Sequence, residues 1–178
     1  MKTLKQHIDE ALKIGNNLSE WSAYSCQPKT NKELKKIIEE RISKEGTNCD
    51  LNDIDVSQIT NMSDLFYNSE FNGDISKWDV SNVKEMWCTF SYSKFNGDIS
   101  NWDVSNVENM RCMFYNAEFN QDISKWDTSK VEDMYFMFDK AKFNHDISNW
   151  KININCNTTG MFKNCHIKEE YKPKLSQS

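Results

Sequence analysis

Glycine, proline and long apolar runs are scarce in this sequence. Five glycines and two prolines among 178 residues argue against a linker-rich, collagen-like or low-complexity chain. The N-terminal segment MKTLKQHIDEALKIG is charged throughout, so it lacks the apolar run of a secretory signal. No stretch approaches the roughly 18 apolar residues that a membrane-spanning helix requires. The sequence therefore predicts a protein without membrane insertion and with a cytoplasmic location.

Catalytic and metal-binding patterns are also missing. The histidines His7, His145 and His166 lie at unrelated positions, and no phosphate-binding glycine loop or Ser-His-Asp set occurs. The six cysteines contain no C-x-x-C pair, so free thiols are expected. Cys88 and Cys112 are one repeat period apart, and a disulfide between them is an alternative that the sequence leaves open. We expect no enzymatic activity, no cofactor and no metal ligand set.

What the sequence does contain is a repeat of 24 residues. Four units follow one another without a gap, at residues 55–78, 79–102, 103–126 and 127–150. Five apolar columns recur in every unit: Met62, Met86, Met110 and Met134; Phe66, Phe90, Phe114 and Phe138; Phe71, Phe95, Phe119 and Phe143; Ile75, Ile99, Ile123 and Ile147; Trp78, Trp102, Trp126 and Trp150. A single unit has an apolar face without a partner, and stacking of neighbouring units buries it. We therefore expect a stack with ladders of aromatic and aliphatic side chains.

The spacing within one unit predicts the shape of each coil. The I-x-x-W-x-V pattern that starts at Ile75 matches the strand of a leucine-rich repeat, with Trp78 and Val80 pointing inward. Met86 and Phe90 are four residues apart, the spacing of one face of a short helical turn. The predicted fold class is therefore an α+β repeat solenoid, a leucine-rich-repeat-like right-handed stack of short parallel strands and helical turns.

The unit D-V-S-x-V-x-x-M-x-x-x-F…F-N-x-D-I-S-x-W resembles the repeat of BspA-type leucine-rich-repeat surface proteins, which also occurs in mycoplasma lipoproteins. This resemblance implies an array that binds other macromolecules, often in adhesion, and it alone points to the cell surface. Ordinary leucine-rich repeats place an asparagine where this chain has Val83, Val107 and Val131. A charged N-terminal element followed by a few such repeats is also similar to proteins of tailed phages, which implies a virion-associated location.

The residues before the repeats predict a helical cap or docking segment over residues 1–47. Thr30 and Glu33 have the spacing of a capping box, and Gly46 supplies a helix stop. A second amphipathic helix is predicted over residues 3–14. Because an exposed end coil needs a cover, we interpret the helical segment as a cap on the first coil.

The repeat region itself is expected to span residues 48–165. Partial units flank the four complete ones, since residues 48–54 match the last third of a unit and residues after 150 match a fifth unit that decays. Residues 166–178 are predicted to be a polar, frayed tail.

Charge and acidic columns restrict the choice of partner. Residues 55–150 hold 16 acidic and 8 basic side chains, so nucleic acid and anionic membranes should be repelled. Aspartates recur at two positions of the unit: Asp55, Asp79, Asp103 and Asp127; Asp74, Asp98, Asp122 and Asp146. The second set is expected to accept backbone N–H groups in Asx turns. Calcium bound between adjacent carboxylates is the alternative.

Candidate partner-binding residues come from the column that varies. The position after each methionine holds Ser63, Trp87, Arg111 and Tyr135, and Phe136 follows Tyr135. Because Trp, Tyr and Arg are enriched at interface hot spots, we predict a binding strip of Trp87, Arg111, Tyr135 and Phe136. The expected function is a non-enzymatic protein-interaction module that presents a surface. A structural component of a phage particle or other assembly and a carbohydrate-binding adhesin are the alternatives, and the partner and oligomeric state stay open.

Overall fold

The computed structural model of the chain describes residues 25–175. Within that range it has one α-helix, α1, at Asn31–Glu45, and one short 3-10 helix at Glu169–Tyr171. The remaining backbone forms coils built from tight turns, which we number by the repeat: coil 1 (55–78), coil 2 (79–102), coil 3 (103–126), coil 4 (127–150) and the partial coil 5 (151–165). The helix predicted over residues 3–14 lies outside the described residues.

Helix α1 starts and stops at the residues that the sequence indicates. The Thr30 hydroxyl accepts the Glu33 N–H at 3.2 Å, and the Glu33 carboxylate accepts the Lys29 N–H at 2.8 Å. Gly46 ends the helix with a φ of 89° while its N–H donates to the Ile42 carbonyl. This positive φ favours glycine because other residues carry a Cβ that clashes there.

The buried face of α1 packs on the first coil. Leu34 and Ile38 are at most 2% exposed. The Asn31 side-chain amide donates to the carbonyls of Asn61 and Ser63 at 3.2 and 3.1 Å. In later coils the matching carbonyls accept backbone N–H groups of the preceding coil. Helix α1 therefore supplies hydrogen bonds that a preceding coil would otherwise give.

Backbone hydrogen bonds between successive coils hold the stack together. We call residues 62–68, 86–92, 110–116, 134–140 and 158–164 the turn segments. In coils 1 to 4, every second N–H of a turn segment donates to a carbonyl of the next coil, located in its turn segment or at the residue directly before it. In coil 2 the bonds run from Met86, Cys88, Phe90 and Tyr92 to the carbonyls of Asn109, Arg111, Met113 and Tyr115, at 2.8 to 2.9 Å. The intervening N–H groups close turns within the segment, as from Thr89 to the Met86 carbonyl at 3.3 Å.

The predicted α+β solenoid of parallel strands and helical turns, with its leucine-rich-repeat-like right-handed coil, is wrong. Residues 25–175 contain no extended strand, and the parallel β contacts are isolated bridges such as Glu85 with Asn109. The segment predicted as a strand bends at each step, because the Trp78 N–H bonds the Ile75 carbonyl and the Ser81 N–H bonds the Asp79 carboxylate. Trp78 and Val80 are nevertheless buried, as the alternation predicts.

Left-handed residues replace the predicted helical turn. Cys88 and Tyr92 have φ values of 54° and 58°, and the same two positions are left-handed in every turn segment. They are Asp64 and Asn68, Cys88 and Tyr92, Cys112 and Asn116, Phe136 and Lys140, Gly160 and Asn164. A turn with positive φ at its third residue fits the type II geometry, which ordinarily takes glycine or asparagine. Six of these ten positions hold neither residue, so residue type alone did not predict the turns.

The core is a set of aromatic ladders along the stack. The methionine, phenylalanine and isoleucine columns are at most 1% exposed, and the tryptophan column is 4–5% exposed. Neighbouring rings lie nearly parallel, as for Phe90 and Phe114 at 5.6 Å and 4°. Each tryptophan of this column also donates its indole N–H to the carbonyl 27 residues earlier, for example Trp102 to Ile75 at 3.1 Å. The columns read from the sequence therefore form the core as predicted.

Residues 166–175 continue the packing instead of leaving it as a loose polar tail. Ile167 is 5% exposed, and the Ile147 N–H donates to the Tyr171 carbonyl at 3.0 Å. The Lys168 N–H donates to the Asn144 side chain at 3.1 Å. Lys168 and Tyr171 thus bond to coil 4, and Lys172 lies 5.7 Å from the Phe162 ring of coil 5.

Candidate interaction surface

Both aspartate columns build corners of the coil. In each unit the carboxylate accepts the N–H of the serine two residues later, as from Ser100 to Asp98 at 2.9 Å and from Ser105 to Asp103 at 3.0 Å. The Ser100 N–H holds the pKa of Asp98 below its ordinary value. The Asx-turn role predicted for the Asp74 column is confirmed, and the Asp55 column has the same role.

These carboxylates do not converge on a metal position. No group of three or more His, Cys, Asp or Glu side chains within residues 25–175 is arranged to hold a metal ion. One oxygen of each corner carboxylate accepts an N–H of the turn that it closes. The same wall carries a shallow polar cavity of about 610 Å³, lined by Asp122, His145 and Tyr171 among others. His145 occupies this rim with its Nε2 atom 3.0 Å from the Asn120 carbonyl oxygen.

An asparagine ladder runs along a position that sequence reasoning did not single out. The side-chain oxygens of Asn72, Asn96 and Asn120 accept the N–H of the asparagine in the next coil, at 2.7 to 2.8 Å. Leucine-rich repeats have their asparagine at the column that is valine here. Comparison with them therefore did not predict an asparagine ladder at the Asn72 column. The invariant F-N pair of every unit was the available signal.

The turn segments carry the predicted binding residues on their outer surface, which we call the turn face. Trp87 is 38% exposed, whereas the core tryptophans are 4–5% exposed. The Arg111 guanidinium lies 4.2 Å from the centre of the Tyr135 ring, a cation–π stack. Its Nη1 is also 3.8 Å from the Asp133 carboxylate. The structure thus brings Arg111 and Tyr135 together on neighbouring coils.

Phe136 is placed differently from the other three candidates. Its ring lies over Gly160, where an added Cβ would be only 1.9 Å from the nearest ring atom. The centre of the Phe136 ring is 4.1 Å from that of the Tyr135 ring. The Lys163 ammonium is 5.6 Å from its centre. Phe136 is therefore half-buried and closes the join between coils 4 and 5, while its neighbour Tyr135 carries the stacked arginine.

A second aromatic row on the turn face escaped sequence reasoning. Tyr67 and Tyr92 are 50% and 43% exposed, with ring centres 5.9 Å apart, and the Tyr115 ring follows at 5.2 Å. The Lys140 ammonium ends the row by donating to the Tyr115 hydroxyl at 3.1 Å, which raises the pKa of Lys140. The three tyrosines alternate between two adjacent columns, so an alignment by strict period does not show them as a set.

The thiols are poorly placed for nucleophilic chemistry. All six cysteines are free, and Cys88 and Cys112 lie half-buried beneath the turn face. Burial raises the pKa of Cys88 to about 12 and also raises that of Cys112. Because the thiolate is the reactive form, neither thiol is activated at neutral pH.

The family comparison decides what kind of chain this is. The family model described as "Mycoplasma protein of unknown function, DUF285" matches residues 32–119 and 116–172, which is most of the chain. The chain belongs to the DUF285 family. This match confirms the sequence-based recognition at the level of a mycoplasma repeat family related to BspA-like proteins, and it assigns neither a BspA-type surface protein nor a phage origin. Comparisons with curated proteins and with solved structures gave no match.

The helices of this DUF285 chain are too short to span a membrane within the described range. Helix α1 is short and charged, and none of the helices within the described range could cross a bilayer.

Proposed function

We propose that this DUF285 chain is a non-enzymatic protein-interaction module that binds its partner through the turn face. The observation that carries the proposal is where exposed aromatic side chains occur. Four large hydrophobic residues in the described range are more than a third exposed, and Tyr67, Trp87 and Tyr92 all belong to turn segments. The other aromatic residues of the described range are buried or half-buried, so strong exposure of aromatic rings is specific to this face.

The composition of the turn face matches that of an interface core. Trp, Tyr and Arg dominate interface hot spots because they combine a large contact area with hydrogen-bonding groups. Arg111 is already oriented by its stack on Tyr135, and Tyr92 is held between two other tyrosine rings. Fixing these side chains before binding reduces the entropy that association would otherwise remove.

The absence of catalysis is part of the same proposal. Near-identical coils present the same groups at each position, and the varying positions hold aromatic and cationic side chains instead of an acid–base pair. The buried thiols have raised pKa values, as shown by Cys88. The groups on this surface are therefore suited to binding a partner and not to a catalytic step.

The experiment compares two triple variants in partner capture from the native source. One replaces Trp87, Arg111 and Tyr135 by Ser, and the control replaces the exposed residues Lys77, Asn101 and Lys125 by Ser. Both should keep the wild-type melting temperature, since exposed substitutions usually change stability by less than about 0.5 kcal/mol. The first variant should lose capture at least about thirtyfold, because one hot-spot residue contributes about 2 kcal/mol or more.

Two results would reject this assignment. A folded turn-face variant that captures the same protein as well as the control does would place the binding surface elsewhere. Capture of glycans in place of protein, measured on a sugar array with the same variants, would favour the adhesin alternative.

A further inference from the structure

The C-terminal end of the stack carries a row of backbone donors. In coil 4, Met134, Phe136, Phe138 and Lys140 donate their N–H groups to carbonyls of coil 5 at 2.8 to 3.1 Å. The corresponding groups of coil 5 are the N–H groups of Thr158, Gly160, Phe162 and Asn164. Within residues 25–175 none of these four has an acceptor. Residues 166–175 hydrogen-bond to coil 4 and place Lys172 beside the Phe162 ring, but none of their groups accepts from this row.

The turn segment of coil 5 already has the conformation of an interior one. Gly160 and Asn164 have φ values of 65° and 55°, like their equivalents in the other coils. The N–H groups of Met161, Lys163 and Cys165 close its internal turns at 3.0 to 3.1 Å. The four open donors are therefore held in the spacing that an incoming backbone requires. An unpaired backbone row of this kind is a template for adding another chain.

The opposite end of the stack does not complement this row. Helix α1 packs on coil 1 and donates to two of its four carbonyls, those of Asn61 and Ser63, through Asn31, so a second copy cannot form the full row of bonds there head to tail. Two C-terminal ends facing each other would oppose donors with donors. An occupant of this row must therefore bring free carbonyls that neither end of residues 25–175 supplies.

The charge of coil 5 indicates the character of that chain. Residues 151–165 contain Lys151 and Lys163 and no acidic residue, whereas residues 55–150 hold 16 acidic and 8 basic side chains. The Lys172 ammonium lies 5.7 Å from the Phe162 ring but is paired with the Glu169 carboxylate, so the positive charge of coil 5 comes from Lys151 and Lys163. A cationic rim around backbone donors favours an anionic segment.

We propose that the open end of coil 5 binds an acidic peptide segment of a partner, whose carbonyls accept the four N–H groups and extend the stack. Backbone addition of this kind gives affinity through main-chain hydrogen bonds and specificity through the flanking side chains. This site is separate from the turn face and does not rest on the function proposed for that face.

The test uses a peptide whose carbonyl spacing is known from the protein. Residues 131–142, VEDMYFMFDKAK, already present the carbonyls of Asp133, Tyr135, Met137 and Asp139 to coil 3. The probe carries Glu in place of both lysines, and a control peptide carries Lys in place of its three acidic residues. Amide hydrogen exchange in the full-length protein is followed by NMR, residue by residue, with and without each peptide.

The expected result is specific to four amides. In the free protein the Thr158, Gly160, Phe162 and Asn164 amides should exchange at least about a hundredfold faster than those of coil 4, since they lack acceptors. The acidic probe should slow these four, and the basic control should not. A Lys151→Glu and Lys163→Glu double variant should weaken the acidic probe about tenfold, as expected for reversing two exposed charges. Coil 4 protection should stay unchanged in that variant, which shows that it is folded.

Three results would overturn the proposal. The four amides could already be protected in the free protein, they could remain unprotected at saturating probe, or both peptides could bind equally well. The turn-face triple variant should bind the probe like wild type, so failure here and failure of the turn-face proposal can be told apart.

Discussion

Trp102 offers the sharpest test of how the stack is stabilised. It lies in an interior coil, is 4% exposed, and packs against Trp78 at 6.3 Å and Phe90 at 6.1 Å between ring centres. Its indole N–H also donates to the Ile75 carbonyl at 3.1 Å. Trp102→Ala removes the ring and the hydrogen bond together, whereas Trp102→Phe keeps an aromatic ring and removes the donor.

The magnitudes follow from these contacts. Replacing a buried tryptophan by alanine typically lowers the free energy of unfolding by about 3–5 kcal/mol, because transfer and cavity terms add. Removing only the donor takes one of two hydrogen bonds from the Ile75 carbonyl, which still accepts the Trp78 N–H, so the loss should be about 0.5–1.5 kcal/mol. Trp87→Ala is the matched control, since that ring is 38% exposed and its loss should cost about 0.5 kcal/mol or less.

Equilibrium urea titration measures all three variants. The midpoint should fall most for Trp102→Ala, less for Trp102→Phe and hardly at all for Trp87→Ala, with the slope unchanged if the stack unfolds as one unit. A Trp102→Ala loss below about 1 kcal/mol, or equal to that of Trp87→Ala, would refute the view that the indole ladder carries the stability.

Three further predictions concern the turns and the cap. Asn116→Ala should lower the free energy of unfolding by about 1 kcal/mol and Asn116→Gly should not, because φ at this exposed position is 51° and a Cβ is unfavourable there. Equal melting temperatures for the two variants would contradict the assigned turn. The melting temperature should fall as pH drops below about 4. The Ser100 N–H lowers the pKa of Asp98 on folding, so this carboxylate stabilises the folded state above its unfolded pKa and loses that effect when it is protonated. Asp98→Asn keeps the turn acceptor and should reduce this acid sensitivity, whereas an unchanged pH profile would argue against the carboxyl as its source. Asn31→Ala should cost about 1 kcal/mol because it removes the amide that satisfies the Asn61 carbonyl, and a urea midpoint equal to wild type would show that α1 does not cap the stack.

The side-chain columns were predictable because a buried position requires an apolar residue type, which the sequence shows directly. Trp102 and Phe90 recur with a constant period, and a buried ring at one coil requires a ring at the next. Capping by Thr30 was equally readable, since its hydroxyl and Glu33 serve local N–H groups within one turn of helix. In both cases the physical requirement involves side-chain chemistry that the sequence states directly.

The backbone path was not predictable in the same way. Met86 and Phe90 have a spacing that a helical turn and two successive tight turns both satisfy. Positive φ at Cys88 and Tyr92 distinguishes the two paths, and neither residue type announces it. The inter-coil hydrogen bonds impose that conformation on residues that would avoid it in isolation.

The candidate site was predictable in part for a related reason. Arg111 and Tyr135 share a column, so their proximity follows from the period and is seen as a stack. Tyr92 lies one column away from Tyr67 and Tyr115, and only the turn geometry brings the three rings together. A side chain's direction depends on φ and ψ, which the period alone does not specify.

The constant register between coils bears on how such a chain can change its length. Removing residues 103–126 would join Trp102 directly to Asp127 and restore every column, with both ends of the stack unaltered. A deletion of 12 residues would instead place turn segments against the aspartate corners of the next coil. The N–H groups of those turn segments would then lack acceptors. Gain or loss of whole coils is therefore structurally neutral, whereas partial coils are excluded. The half-buried Phe136 packs over Gly160, so loss of coil 4 would also require a new contact at coil 5.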